Sequence, residues 1–156
     1  LTVEKYSLAS SIKSVERRIN VVASGFETKN IRSRESAKML TWGLRKFDSI
    51  KVAKKNEIIS SLEVWLGKKN RVEVVTAEDI YLTILKRKKN TIKAVVEYNG
   101  PIQAPIAKGE KLGSLNIYIA GELKSKIDIF SGEEIRKANI FSRLLKSINF
   151  LVWGDV

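Results

Sequence analysis

A serine placed three residues ahead of a lysine can act as a nucleophile when a helix brings the lysine amine one turn away to take the hydroxyl proton. Ser10 and Lys13 stand at that spacing. Tyr6 to Ile12 reads as a strand, however, and there residues i and i+3 leave on opposite faces. With serine and lysine this frequent, about two such matches arise by chance. Ser-x-Asn occurs at Ser114 and again at Ser147, and Lys-Thr-Gly occurs nowhere. No complete serine-based constellation can be assembled, so no catalytic residue is assigned. The chain also contains no cysteine and no histidine. That removes thiolate and imidazole ligands, and with them the usual zinc sites and histidine-activated nucleophiles. Neither a metal ligand nor a cofactor site is expected.

Two lysine-bearing segments have a functional and a plain reading. Ala107-Lys108-Gly109-Glu110-Lys111-Leu112-Gly113 resembles the turn of lipoyl and biotinyl carrier domains, but the pattern chiefly reports glycines that need positive φ. The run Lys86-Arg87-Lys88-Lys89 could meet nucleic-acid phosphates. Aromatic residues do not interleave with these cations as stacking platforms would require, so a solvated loop is the better reading. The formal net charge of +12 still calls for a polyanionic neighbour: nucleic acid, anionic lipid or a cell-wall polymer.

The elements that would carry these residues emerge from periodicity. Lys5 to Gly25 reads as a hairpin joined through Lys13 to Arg18. Arg32 to Phe47 places Ala37, Leu40, Leu44 and Phe47 at helical spacing, with Asn30 or Ser33 as the N-cap. From Asp48 onward short strands alternate with turn residues: Ile50 to Ala53, Ile58 to Leu66, Arg71 to Val75, Ile80 to Leu85, Thr91 to Tyr98, Ser114 to Ala120 and Leu123 to Phe130. This spacing suggests a sandwich or small barrel. Ser131-Gly132-Glu133-Glu134 then offers a capping box, and the chain is expected to be helical to its end. Phe141, Leu144, Leu145, Ile148, Leu151 and Val152 form one stripe, Arg136, Lys137, Arg143 and Lys146 supply positive charge, and Trp153 closes the segment as an interfacial aromatic would. Such a stripe can pack as core, pair with another helix, or dip into an anionic headgroup layer. No run approaches 18 apolar residues, so no segment is expected to span a bilayer, and Leu1 to Ser14 lacks the pattern of a signal peptide.

Taken in order, several segments resemble the C-terminal part of the D-alanyl-D-alanine carboxypeptidases, the low-molecular-mass penicillin-binding proteins of serine-peptidase type. The resemblance is carried by Tyr6-Ser7-Leu8-Ala9-Ser10-Ser11, by Glu35 to Phe47 with Leu40-Thr41-Trp42-Gly43-Leu44-Arg45, and by Val64-Trp65-Leu66-Gly67. It continues through Asp79-Ile80-Tyr81-Leu82-Thr83-Ile84, Gly100-Pro101-Ile102-Gln103-Ala104-Pro105-Ile106 and Lys108-Gly109-Glu110-Lys111-Leu112-Gly113. It implies a mainly β fold with helices. Residues 1–47 would be a hairpin-plus-helix remnant of an α/β transpeptidase-like catalytic domain, 48–131 a β-sandwich-like domain, and 132–156 an amphipathic membrane-associating helix. The family's catalytic serine and lysine, its Ser-x-Asn and its Lys-Thr-Gly would all fall ahead of Leu1, so none transfers to a residue here. Glu4-Lys5 stands where the family has a small Ala-Gly pair. The implied role is a non-catalytic module in peptidoglycan trimming, at the periplasmic face of a bacterial cytoplasmic membrane. Its partners would be the anionic membrane surface and peptidoglycan or cell-wall proteins. A basic nucleic-acid-binding β module and a structural protein-interaction module remain as alternatives.

Overall fold

The computed structural model describes residues 5–14 and 17–139. The chain divides into two compact units, residues 1–50 with 82–90, and residues 51–81 with 91–156.

In the first unit, β1 (Tyr6–Lys13) pairs antiparallel with β2 (Arg18–Phe26), placing Ile12 opposite Ile19 and Ala9 opposite Val22. The two-residue period puts Leu8, Ser10 and Ile12 on one face together with Ile19, Val21 and Ala23, all half-buried. That face receives α1 (Lys29–Lys46). The helix is capped by Thr28, whose Oγ1 accepts from the Ile31 N–H at 3.2 Å, rather than by Asn30 or Ser33, which lie within its first two turns. Small residues allow the approach: Ser36 and Gly43 are its buried positions, and a Cβ on Gly43 would stand 3.1 Å from Ile19 Cδ1. At the far end the Arg17 guanidinium donates to the Leu44 carbonyl at 2.8 Å, one of the carbonyls that a helix leaves unpaired. Among the described residues of this unit, Ile84 is the single buried apolar side chain.

β3 (Phe47–Ala53) and β6 (Ile80–Leu85) form a two-stranded sheet, and along both strands the chain passes from one unit's residues to the other's. The second unit holds one six-stranded sheet. Its strands are β4 (Ile58–Trp65), β5 (Arg71–Val75), β7 (Ile92–Tyr98), β8 (Ile102–Gln103), β9 (Lys111–Ile119) and β10 (Glu122–Ser131). Their order is β7-β9-β10-β5-β4-β8, antiparallel except for β8 on β4. In β5 the alternation is plain: Val72 and Val74 are buried while Arg71 and Glu73 are exposed. In β9 it fails, because Ser114 to Ile117 are buried in succession and both faces are covered. The core gathers Leu62, Val64, Val72, Val74, Ala104, Ile106, Leu112, Leu115, Ile129 and Ile135. Within residues 48–131 hydrogen bonding makes two sheets, the six-stranded one and the β3–β6 pair, and bulges in β10 at Leu123/Ser125 and Ile129/Phe130 let the larger one bend.

One expectation is corrected. Ser131 does not begin a helix: residues 132–139 hold none, Gly132 and Glu133 bend, and beyond them Ile135 bridges antiparallel to Ile106 and Lys137 to Gly67. The Ser131 hydroxyl turns to the Glu133 carbonyl instead of capping a helix. The sheet offers this segment backbone partners, and extended pairing buries Ile135 and Ala138.

Candidate functional site

The structure disperses the groups that could have done serine chemistry. Ser10 lies half-buried on the helix-facing side of β1 and Lys13 is exposed at its end, so the lysine stands on the opposite face. Ser114 and Asn116 share a face of β9, but the Asn116 amide is committed, donating to Glu97 Oε2 at 2.7 Å. A cleft of about 590 Å³ in the second unit is lined by Asn56, Thr76, Lys108, Phe130 and Ser131. Both of its hydroxyls are engaged by backbone, Thr76 with the Lys54 carbonyl and Ser131 with that of Glu133. In Ala107 to Gly113 only Gly109 has positive φ, at 80°. Gly113 is needed for another reason: a Cβ there would lie 2.4 Å from the Glu97 carbonyl oxygen of the neighbouring strand. The basic run Lys86 to Lys89 is a short 3-10 helix, Lys86–Thr91, rather than an irregular loop. The stripe Phe141, Leu144, Leu145, Ile148, Leu151, Val152 and Trp153, with Arg143 and Lys146, lies outside the described residues, as does Ser147.

What the structure builds instead is a firmly held segment, residues 133–138. The Ile135 N–H and carbonyl exchange hydrogen bonds with Ile106, both at 2.9 Å. Lys68 N–H donates to the Arg136 carbonyl and Ala138 N–H to the Leu66 carbonyl, again at 2.9 Å. Ile135 is 1% exposed, and Lys69 forms an ion pair with Glu133. The loop receiving this strand has its own demands. Leu66 holds φ at 58°, and a Cβ on Gly67 would stand 2.8 Å from Val64 Cγ1 and 2.9 Å from Ile135 Cγ2. The last described residues are therefore clamped to the β unit by backbone, packing and charge together.

A second constellation escaped the sequence reading because its members are far apart in the chain. Asp79 Oδ2 pairs with Lys51 Nζ at 2.7 Å and accepts from Tyr81 OH at 3.3 Å, while Oδ1 accepts from the Lys55 N–H at 2.8 Å. The Lys51 ammonium also lies 5.0 Å from the Tyr81 ring centroid. The Lys51 hydrogen bond, followed by the Lys55 N–H, holds the Asp79 carboxyl down at about 2, and Asp79 in turn raises Lys51 above the ordinary lysine range. The cluster ties separate stretches of the chain together, and neither Asp79 nor Lys51 is poised to exchange a proton near neutral pH. Asp79-Ile80-Tyr81 was visible as part of the resemblance; its partners were not.

Residues 47–137 match the family described as Penicillin-binding protein 5, C-terminal domain, and the chain belongs to that family. It is similar to D-alanyl-D-alanine carboxypeptidase DacA of Escherichia coli K12, 28% identical over 94% of this chain and 36% of that protein. It is also similar to D-alanyl-D-alanine carboxypeptidase DacF of Bacillus subtilis, 28% identical over 92% of this chain and 37% of that one. Among solved structures, penicillin binding protein 5 from Haemophilus influenzae superposes with a TM-score of 0.74 at 28% identity, covering 88% of this chain and 40% of that chain. The chain thus spans little more than a third of the curated relatives it matches.

Proposed function

We propose that this chain is the non-catalytic C-terminal module of a D-alanyl-D-alanine carboxypeptidase of peptidoglycan trimming, and that it positions the enzyme at the periplasmic face of a bacterial cytoplasmic membrane. The observation that carries the reading is the clamped strand Glu133 to Ala138. That segment is bonded to Ile106, Leu66 and Lys68, is packed through Ile135, and leads directly into the residues beyond it. Those residues include the apolar stripe of Phe141 to Trp153 flanked by Arg143 and Lys146, suited to anionic lipid. In the full enzyme a serine outside this chain would be acylated by a peptide ending in D-Ala-D-Ala, and water would release the acyl group.

The test is cosedimentation of the full chain with anionic liposomes. Binding is expected to weaken with salt and to disappear when Phe141, Leu144 and Ile148 are changed together to Ser. Unchanged binding by that variant would overturn the membrane assignment. Covalent labelling of this chain by a tagged penicillin would overturn the non-catalytic one.

A further inference from the structure

Among the described residues strand β7 ends the sheet order, so one of its edges pairs with none of them. Among the described residues, no backbone hydrogen bond runs from Ile92–Tyr98 to a segment other than β9. An exposed edge is a template for another strand, and proteins commonly blunt it with a lysine. β7 carries one, Lys93, exposed and, among the described residues, without an ion-pair partner. It also carries Glu97 four residues on, and between them Val95, 48% exposed. The two-residue period puts these three on one face.

That spacing selects a partner. When a strand pairs antiparallel with its own copy, the register that aligns all seven residues of Ile92–Tyr98 centres on Val95. It sets Lys93 opposite the second copy's Glu97 twice over, by symmetry. On the other face Ala94 meets Val96, and Ile92 meets Tyr98. Registers displaced by four residues place Lys93 against Lys93 or Glu97 against Glu97. The fullest overlap and the best charge match therefore fall at the same register. Glu97 is ready for it: Asn116 and Lys126 hold its carboxyl ionised through Oε2, leaving Oε1 for a second cation. We infer that the β7 edge is a self-association surface, through which two copies of this chain join their six-stranded sheets antiparallel about Val95.

Sedimentation of the full chain without lipid tests this, because the membrane assignment can fail without affecting the result. Mass should rise with concentration from 17.6 kDa toward that of two copies. Lys93→Glu and Glu97→Lys should each weaken self-association about tenfold, since each sets like charges opposite at two symmetric pairs. Mixed together, the two variants should associate again, because at both pairs a carboxylate of one chain then faces an ammonium of the other. Amide exchange gives a readout that needs no variant: protection gained on concentrating the wild-type chain should be confined to β7. A wild-type chain that stays monomeric, a mixture no better than its components, or protection arising elsewhere would each overturn the inference.

Discussion

Asp79 shows how much one carboxylate can organise when three donors converge on it. Its folded value of about 2 lies below the roughly 3.9 of an unfolded aspartate. The sign is set by this order: the unfolded chain binds the proton more readily, so the stabilisation is full above about pH 4 and is lost as pH falls toward 2. Asp79→Asn should therefore lower the thermal midpoint at pH 6, and the gap to wild type should close as pH approaches 2. An equal gap at both pH values would mean that Asp79 acts through shape rather than charge. Lys51, raised by the same pair, works in reverse: its contribution is present below the ordinary lysine value and fades as pH climbs past it. Gly113 makes a second prediction at this scale. Its missing Cβ leaves room for the Glu97 carbonyl 2.4 Å away, which is backbone and cannot swing aside. Gly113→Ala should cost about 1–3 kcal/mol in chemical denaturation, the usual penalty for overpacking.

At the scale of elements, the exit strand is where sequence and structure diverge most instructively. Ile135 should be its keystone: it is 1% exposed, and truncation to Ala leaves a cavity beside Val64 and Gly67. The expected cost is about 2–5 kcal/mol, read from denaturant midpoints, with Ile135→Val retaining most of the stability. The strands β4, β5, β6 and β10 were legible because alternation such as Val72, Glu73, Val74 is a local signal, and Ala120-Gly121 between β9 and β10 has φ values, 51° and 84°, that suit a tight hairpin. The exit strand was not, for a specific reason. Ile135 and Ala138 are three residues apart, the spacing of a helix face, and Ser131 to Glu134 has the letters of a capping box. What decides the conformation is pairing with Ile106 and Leu66, contacts 29 and 72 residues distant in the chain. No local pattern encodes them. Asp79 escaped for the same reason, its lysine partner standing 28 residues upstream.

At the scale of the whole molecule, binding a surface and being held at a defined place on it are separable. The apolar stripe should supply affinity for lipid, whereas the clamp between residues 133–138 and the β unit should supply orientation. The sequence offers a clean way to separate them, because the absence of cysteine lets a single Lys124→Cys carry the only label. Lys124 is exposed beside the β9–β10 turn, and its ion pair with Glu122 is a surface one that can be lost at little cost. With a quencher placed in the headgroup layer, the wild-type clamp should give a narrow distribution of label-to-membrane distances. Ile135→Ala should bind liposomes as well as wild type yet broaden that distribution, since the stripe is intact and the mount has loosened. Ile135→Val, which keeps the side chain's branch in the core, should restore the narrow distribution. A distribution equally narrow in all three would place the determinant of height somewhere other than the exit strand. A broad one even in wild type would reduce the module to a tether, which binds the enzyme to the surface without setting its position there.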